Sequence, residues 1–272
     1  MEFIDIGVNL SHESYRDDRP AVIERALAVG VTQMIATGSS LESTRAAIAL
    51  AQDRPGTLFA TAGVHPHHAA GLTAEDVEAL RTLAARPAVV ALGECGLDYY
   101  RDFSPRPAQR EAFARQLAIA GDMGKPVFLH QRDAHGDFLA MVRECRASLA
   151  GAVAHCFTGS APEMAAYLEL GLHIGVTGWI CDERRGAGLK ALVRDIPADR
   201  LMIETDGPYL LPRDLAPRPA SRRNEPAFLP HIARVIADLR GESLEELATT
   251  STAAARRFFG LSPPRDTGAR TP

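Results

Sequence analysis

The sequence predicts an α/β fold in which eight strand–helix units close into a (β/α)8 barrel. β-branched runs alternate with amphipathic stretches from residue 3 to about residue 258, the pattern of repeated βα units around a parallel sheet. The alternation yields eight strands, the number that closes a barrel, and the 272 residues fit one barrel of roughly 250. The competing open, doubly wound sheet would be expected to carry G-x-G-x-x-G after its first strand, and none is present there.

The elements follow in order. "FIDIGV", residues 3–8, is a buried strand that breaks at Gly7 and Asn9, and a helix over 19–29 returns the chain to a second strand at 31–37. A helix over 41–53 leads to the third strand, 57–63, and Thr73 ahead of Glu75 and Asp76 caps the helix at 73–85. The fourth strand, 88–93, is followed by a helix at 105–123, and the fifth, 126–130, by one at 135–148. After the sixth strand, 152–156, Ser160 precedes Pro162 and Glu163 and opens a helix over 161–170. Strand seven at 172–177, a helix at 187–195 and strand eight at 200–205 complete the set. The loop at 207–226 is rich in Pro and Arg, a length that is functional or mobile in most domains, and helices at 228–239 and 243–258 end the pattern. One domain over 1–261 is expected, with a disordered tail at 262–272, "SPPRDTGARTP".

Composition narrows the class. With 46% hydrophobic and 24% charged residues the chain is globular, and a net charge of −4 argues against coating nucleic acid by bulk attraction. No apolar run is long enough to span a bilayer, and "MEFIDIGVNL" lacks a basic leader, so a cytoplasmic monomer without membrane contact is expected. Cys95, Cys145, Cys156 and Cys181 form no C-x-x-C pair and read as reduced, mostly buried thiols.

In a parallel barrel the C-terminal strand ends share one face, and here nearly every strand ends on a titratable group. A lone histidine or carboxylate there is usually a structural residue or a cap. Glu94, His130, His155 and Asp206, however, come from four strands and would converge on one space, where buried polar groups need a cation as partner. Two imidazoles and two carboxylates suit magnesium, manganese or zinc, and such a site activates water for hydrolysis. No G-x-S-x-G elbow offers a covalent alternative. Arg101, Arg132, Arg184, Arg185, Arg213, Arg218, Arg222 and Arg223 all follow strands four, five, seven and eight, forming a cationic rim suited to phosphodiesters. Tyr99, Tyr100, Phe157, Trp179 and Tyr209 lie in the same segments and would stack on unpaired bases.

The motifs "DIGVNL", "GVHPH", "GECGLDYYRDFS", "PVFLHQRDA", "HCFTG", "IGVTGWICDERRG", "ETDGPYLLPRDL" and "SRRNEPAFLPHI" run in order along the chain. Together they resemble the TatD family of metal-dependent deoxyribonucleases. The resemblance implies a barrel of the metallo-dependent hydrolase type, magnesium-dependent hydrolysis, and 3'-5' exonuclease action on single-stranded DNA. It implies Glu94, His130, His155 and Asp206 as metal ligands, with Asp206 also the base. His65 would lie beside the scissile phosphate, Glu204 and Asn9 would support the site, and His67 would join the rim arginines in binding substrate. Most of the wider family ends strand one with His-x-His, where this chain has Gly7 and Asn9. That difference favours oxygen-seeking magnesium over zinc, and histidines placed at both positions should raise zinc affinity if the two face the metal. Two other readings remain at this stage: hydrolysis of an ester or amide, such as a misacylated tRNA or another RNA-linked ester, and a weakly catalytic module that binds nucleic acid or protein.

Overall fold

The computed structural model describes residues 1–264, so most of the expected tail lies outside the described residues. The strands are β1 (Phe3–Val8), β2 (Val31–Ala36), β3 (Leu58–Ala62), β4 (Val89–Asp98), β5 (Val127–Arg132), β6 (Ala152–Ala154), β7 (His173–Val176) and β8 (Leu201–Ile203). They pair in parallel and in chain order as one eight-stranded sheet. The sheet closes just beyond β8, where the Asp206 N–H donates to the Gly7 carbonyl at 2.9 Å and the Asn9 N–H to the Gly207 carbonyl at 2.7 Å.

Asp5 fastens that seam. Fully buried in β1, its carboxylate accepts from the Thr205 N–H at 3.0 Å, the Gly7 N–H at 3.2 Å and the Thr205 hydroxyl. A charge removed from water is costly unless hydrogen-bonded, and these three donors are what make the position tolerable.

Helices α1 (Arg19–Ala28), α2 (Leu41–Asp53), α3 (Ala74–Ala84), α4 (Arg106–Met123), α5 (His135–Cys145), α6 (Ala161–Glu169), α7 (Ala187–Leu192), α8 (Leu229–Arg240) and α9 (Leu244–Phe259) surround the barrel. The expected caps form: the Asp76 N–H donates to Thr73 Oγ1 at 3.1 Å, and the Ser160 N–H to Glu163 at 2.6 Å. Expected helices 135–148 and 187–195 each end in a 3-10 turn, at Arg146–Ser148 and Val193–Asp195, because the last turn of a helix tightens readily. Inside the barrel Ile4, Ile6, Ile35, Ala91, Phe128, Val153 and Met202 pack together with Ala254, Ala255 and Phe259 of α9. α9 thereby covers the end where β1 begins, and Arg256 pairs with Glu2 at 2.7 Å there. Among the described residues no helix is long and apolar enough to cross a membrane.

Two differences from the sequence reading matter for the site. β4 continues past 93 to Asp98, with an irregularity between Leu92 and Cys95, so Glu94 projects from a strand rather than a loop. Its extra length pairs with β5, Gly96 opposite His130 and Asp98 opposite Arg132. β6 and β8 end two residues early because their last backbone groups leave the ladder; the Cys156 N–H donates to Glu204 Oε1 at 2.6 Å instead.

Candidate active site

Glu94 is the centre of the strand-end cluster. Its Oε1 lies 2.9 Å from His155 Nε2, 3.0 Å from His130 Nδ1 and 3.3 Å from His65 Nε2. Glu94, His65 and His155 are buried, and His130 is nearly so. Burial opposes the charge on Glu94, but the imidazoles of His65, His155 and His130 outweigh it and hold the carboxyl well below its usual range. For His155 the balance is reversed in sign: burial disfavours its charge, and Glu94 and Glu204 raise it well above the usual imidazole range.

The far nitrogens of the three imidazoles distinguish their roles. His155 Nδ1 faces Glu204 Oε2 at 3.3 Å, and His130 Nε2 faces Asp98 Oδ2 at 3.3 Å. A carboxylate on the far nitrogen holds a proton there, so the near nitrogen is the one that can face a cation once its own proton is displaced, the arrangement a metal-ligating histidine uses. His65 differs, because its Nδ1 accepts the His67 N–H at 3.2 Å. The proton of neutral His65 therefore sits on Nε2, facing Glu94, although ligand atoms of His65, Glu94 and His130 also lie within 4.8 Å of one another, close enough to share an ion. Burial pushes His65 down to about 4, which keeps it neutral.

Two outer carboxylates hold this arrangement. Asp98 accepts from His67 at 2.8 Å and from the backbone N–H groups of Arg101 at 2.8 Å and Tyr100 at 3.1 Å. These bonds, with His130, overcome burial and hold Asp98 far below the normal carboxylate range. Glu204 is wholly buried between two glycines: a Cβ on Gly7 would lie 2.5 Å from its Oε2, and one on Gly175 2.5 Å from its Oε1. The sequence reading offers Gly7 as a place for an added histidine ligand, but the structure fills that space with Glu204 and, 2.7 Å from the same Cβ position, the ring of Phe128. A histidine at Gly7 would therefore displace Glu204 instead of adding a ligand. Asp98 is not singled out among the site residues expected from the sequence; its position four residues after Glu94, on the same face of the extended β4, is the signal that would find it.

Asp206 is positioned by the seam. It has a left-handed backbone, φ 51, and its Oδ1 accepts the Asn9 amide at 3.0 Å, so Asn9 is a hydrogen-bonding partner. Burial, together with the charges of Glu94 and Glu204, pushes Asp206 up to about 8 against the opposing pull of His155. Glu94, His130, His155 and Asp206 thus offer two imidazole nitrogens and two carboxylates, donor types that fit a divalent cation displacing the near protons.

The rim divides. Arg132 lies over Tyr100 at 4.3 Å and Arg185 over Trp179 at 5.4 Å, and both line a groove of about 410 Å³ that reaches His155. An adjoining groove of about 350 Å³ shares Trp179 and Arg185 and adds Arg213, Arg218 and Arg222. Arg184 is exposed, and its backbone N–H donates to Asp182 at 2.8 Å. Arg223 does not join the rim, because its guanidinium binds Asp18 at 2.7 Å through both terminal nitrogens and covers Tyr15. Phe157 is buried against Tyr167 and offers no free face, whereas Tyr100, Tyr209 and the overlooked Phe103 are more than half exposed. Phe103 packs on His67 with ring centroids 4.7 Å apart.

A family model described as TatD related DNase matches residues 4–260. A protein of Pantoea vagans described as 3'-5' ssDNA/RNA exonuclease TatD is 53% identical over 258 residues, covering 95% of this chain and 99% of that one. A protein of the same description from Musicola paradisiaca is 52% identical over 257 residues, 94% of this chain and 97% of that one. The crystal structure of a TatD homologue from Escherichia coli superposes with a TM-score of 0.87 at 27% identity, over 96% of this chain and 98% of that one. A lactonase from Listeria monocytogenes, with 12% identity and a TM-score of 0.66 over 96% of this chain and 95% of that one, shares the fold alone.

Proposed function

From the premise that the chain belongs to the TatD family of DNases, we propose that it is a 3'-5' exonuclease, hydrolysing single-stranded DNA, and RNA as well, with a divalent cation. Residues 1–261 act as one catalytic domain in this reading. The observation that carries it is the convergence of His130 Nδ1 and His155 Nε2 on Glu94 Oε1, at 3.0 and 2.9 Å, beneath an arginine-lined groove.

Glu94, His130, His155 and Asp206 would hold the ion. When bound it supplies the Lewis acidity that polarises a phosphodiester and lowers the pKa of water. Magnesium is the proposed working ion, since two carboxylates offset two imidazoles and the end of β1 offers only Gly7 and, just after it, Asn9; manganese is the expected substitute. Asp206, ionised once the cation is bound beside it, would take the proton of the attacking water. His65 Nε2–H donates to a non-bridging phosphate oxygen as charge develops there. Glu204 and Asp98 keep the lone pairs of His155 and His130 directed into the site. Arg132 and Arg185 bind backbone phosphates along the groove, with Arg213, Arg222 and Arg184 beyond them, while Tyr100 and Trp179 stack on unpaired bases.

The test uses a single-stranded oligonucleotide labelled at its 5' end. Magnesium should give a ladder shortening from the 3' end, and chelator should stop it. Equal loss of substrate under both conditions would refute a metal-dependent mechanism, and preferential cleavage of an RNA-linked ester would move the activity to that bond.

A further inference from the structure

Away from the cluster around Glu94, the structure brings a second set of metal-ligating side chains together. Cys181, Asp214 and His231 each offer a ligand atom, and these atoms all lie within 4.8 Å of one another. They come from three places in the chain: the 3-10 turn Gly178–Cys181 after β7, the long loop after β8, and the first turn of α8. Asp214 Oδ1 is 2.7 Å from His231 Nε2, and Cys181 Sγ lies within 4.8 Å of the ligand atoms of both. Cys181 is buried at the floor of this cluster, while His231 and Asp214 open toward solvent with side-chain exposures of 28% and 42%.

We propose that Cys181, Asp214 and His231 form a zinc site, separate from the catalytic centre, that fastens the loop at 207–226 to the barrel. The ligand chemistry selects the ion. One thiolate, one imidazole and one carboxylate suit zinc, with water in the fourth position, and are poorly matched to magnesium. On binding, the Cys181 S–H bond breaks, an Sγ–zinc bond forms, and the proton leaves to solvent. Thiolate and carboxylate then neutralise the two charges of the ion, so the filled site carries no net charge. The adjustment needed is small: donor atoms around a tetrahedral zinc stand roughly 3–4 Å apart, given bonds of about 2.0–2.3 Å. Asp214 withdraws slightly from His231, and any donor pair standing near the 4.8 Å limit closes by about 1 Å.

The position of the cluster gives the site its consequence. The loop already lies against the turn at Gly178, where a Cβ would collide with the Leu210 carbonyl. The same loop bears Arg213, Arg218 and Arg222, and Arg213 approaches Asp182 of the turn at 3.6 Å. A metal bridge through Asp214 adds a covalent-strength tie between loop, turn and α8 directly beside those arginines. It holds the outer groove in shape without touching the reacting atoms.

Cobalt(II) is the probe. The full-length protein, stripped with chelator and then saturated with magnesium, is titrated with cobalt while thiolate-to-cobalt absorption is followed. One equivalent should develop that absorption. It should vanish in Cys181→Ser, weaken by roughly tenfold or more in His231→Gln, and persist in His130→Ala. Zinc should displace the cobalt and slow proteolytic cutting within 207–226 in the parent but not in His231→Gln. Absence of thiolate absorption would overturn the site, as would absorption that survives Cys181→Ser and disappears in Cys156→Ser, since Cys156 lies beside the catalytic cluster.

Discussion

Replacing Gly7 with alanine tests the packing that holds the candidate metal centre. The new methyl would lie 2.5 Å from Glu204 Oε2 and 2.7 Å from Phe128 Cζ. Reaching an ordinary contact of about 3.4 Å requires the carboxylate to retreat by roughly 0.9 Å. It has little room to do so, because the far oxygen lies against Gly175 and is bonded to the Cys156 N–H at 2.6 Å. A shift of that size along the contact with His155 Nδ1 carries it from 3.3 Å to about 4.2 Å, beyond hydrogen bonding. His155 then loses the carboxylate that fixes its tautomer, a change that typically weakens metal affinity by about 10–100-fold. Overpacking adds a stability loss of about 1–3 kcal/mol. Manganese affinity by calorimetry and the thermal midpoint measure the two effects. The double variant Gly7→Ala, Glu204→Asp should recover the midpoint but not the affinity, because a shorter acid makes room yet no longer reaches His155. Gly7→His should lower zinc affinity. A Gly7→Ala protein with the parent's manganese affinity and midpoint would refute the reasoning.

His65→Ala and His130→Ala should separate two functions: the first should lower kcat by about 10²–10³-fold with manganese affinity retained, the second should remove that affinity. Titration of both variants with the metal decides it, and equal loss of affinity would make His65 a ligand. Asp5, which burial pushes up from 3.8 to about 7 against its hydrogen bonds to Thr205, gives a pH signature. Below 3.8 both states are protonated and there is no penalty; as pH rises toward 7 the unfolded chain ionises first, so native stability falls by up to ~4 kcal/mol and then levels off. Asp5→Asn should flatten urea unfolding midpoints between about pH 4 and about pH 7, and parallel curves for parent and variant would count against it. Arg223→Ala should cost about 1 kcal/mol through its pair with Asp18 and leave oligonucleotide affinity unchanged, whereas Arg213→Ala should weaken that affinity without lowering the thermal midpoint. Filter binding and melting curves distinguish the two.

The sequence alone determined the order of elements, because hydrophobic period and capping are local. "FIDIGV" and "VFLH" read as strands from their own residues, and Thr73 with Asp76 opened a helix as expected. It also placed Glu94, His130 and His155 at strand ends on one face, since a parallel barrel leaves those ends nowhere else to point. Which nitrogen of each imidazole turns inward, and what holds it there, depended on contacts between residues far apart in the chain. Asp98 meets His130 across 32 positions and Glu204 meets His155 across 49. The same holds for Gly7, whose missing side chain reads as empty space in one dimension and is occupied by Glu204 in three. Arg223 and Arg213 are alike in sequence context, but folding pairs one with Asp18 and leaves the other beside the groove. Local patterns decide what a segment becomes; only close packing decides which atoms fill the space between segments, and the chemistry of this site is set there.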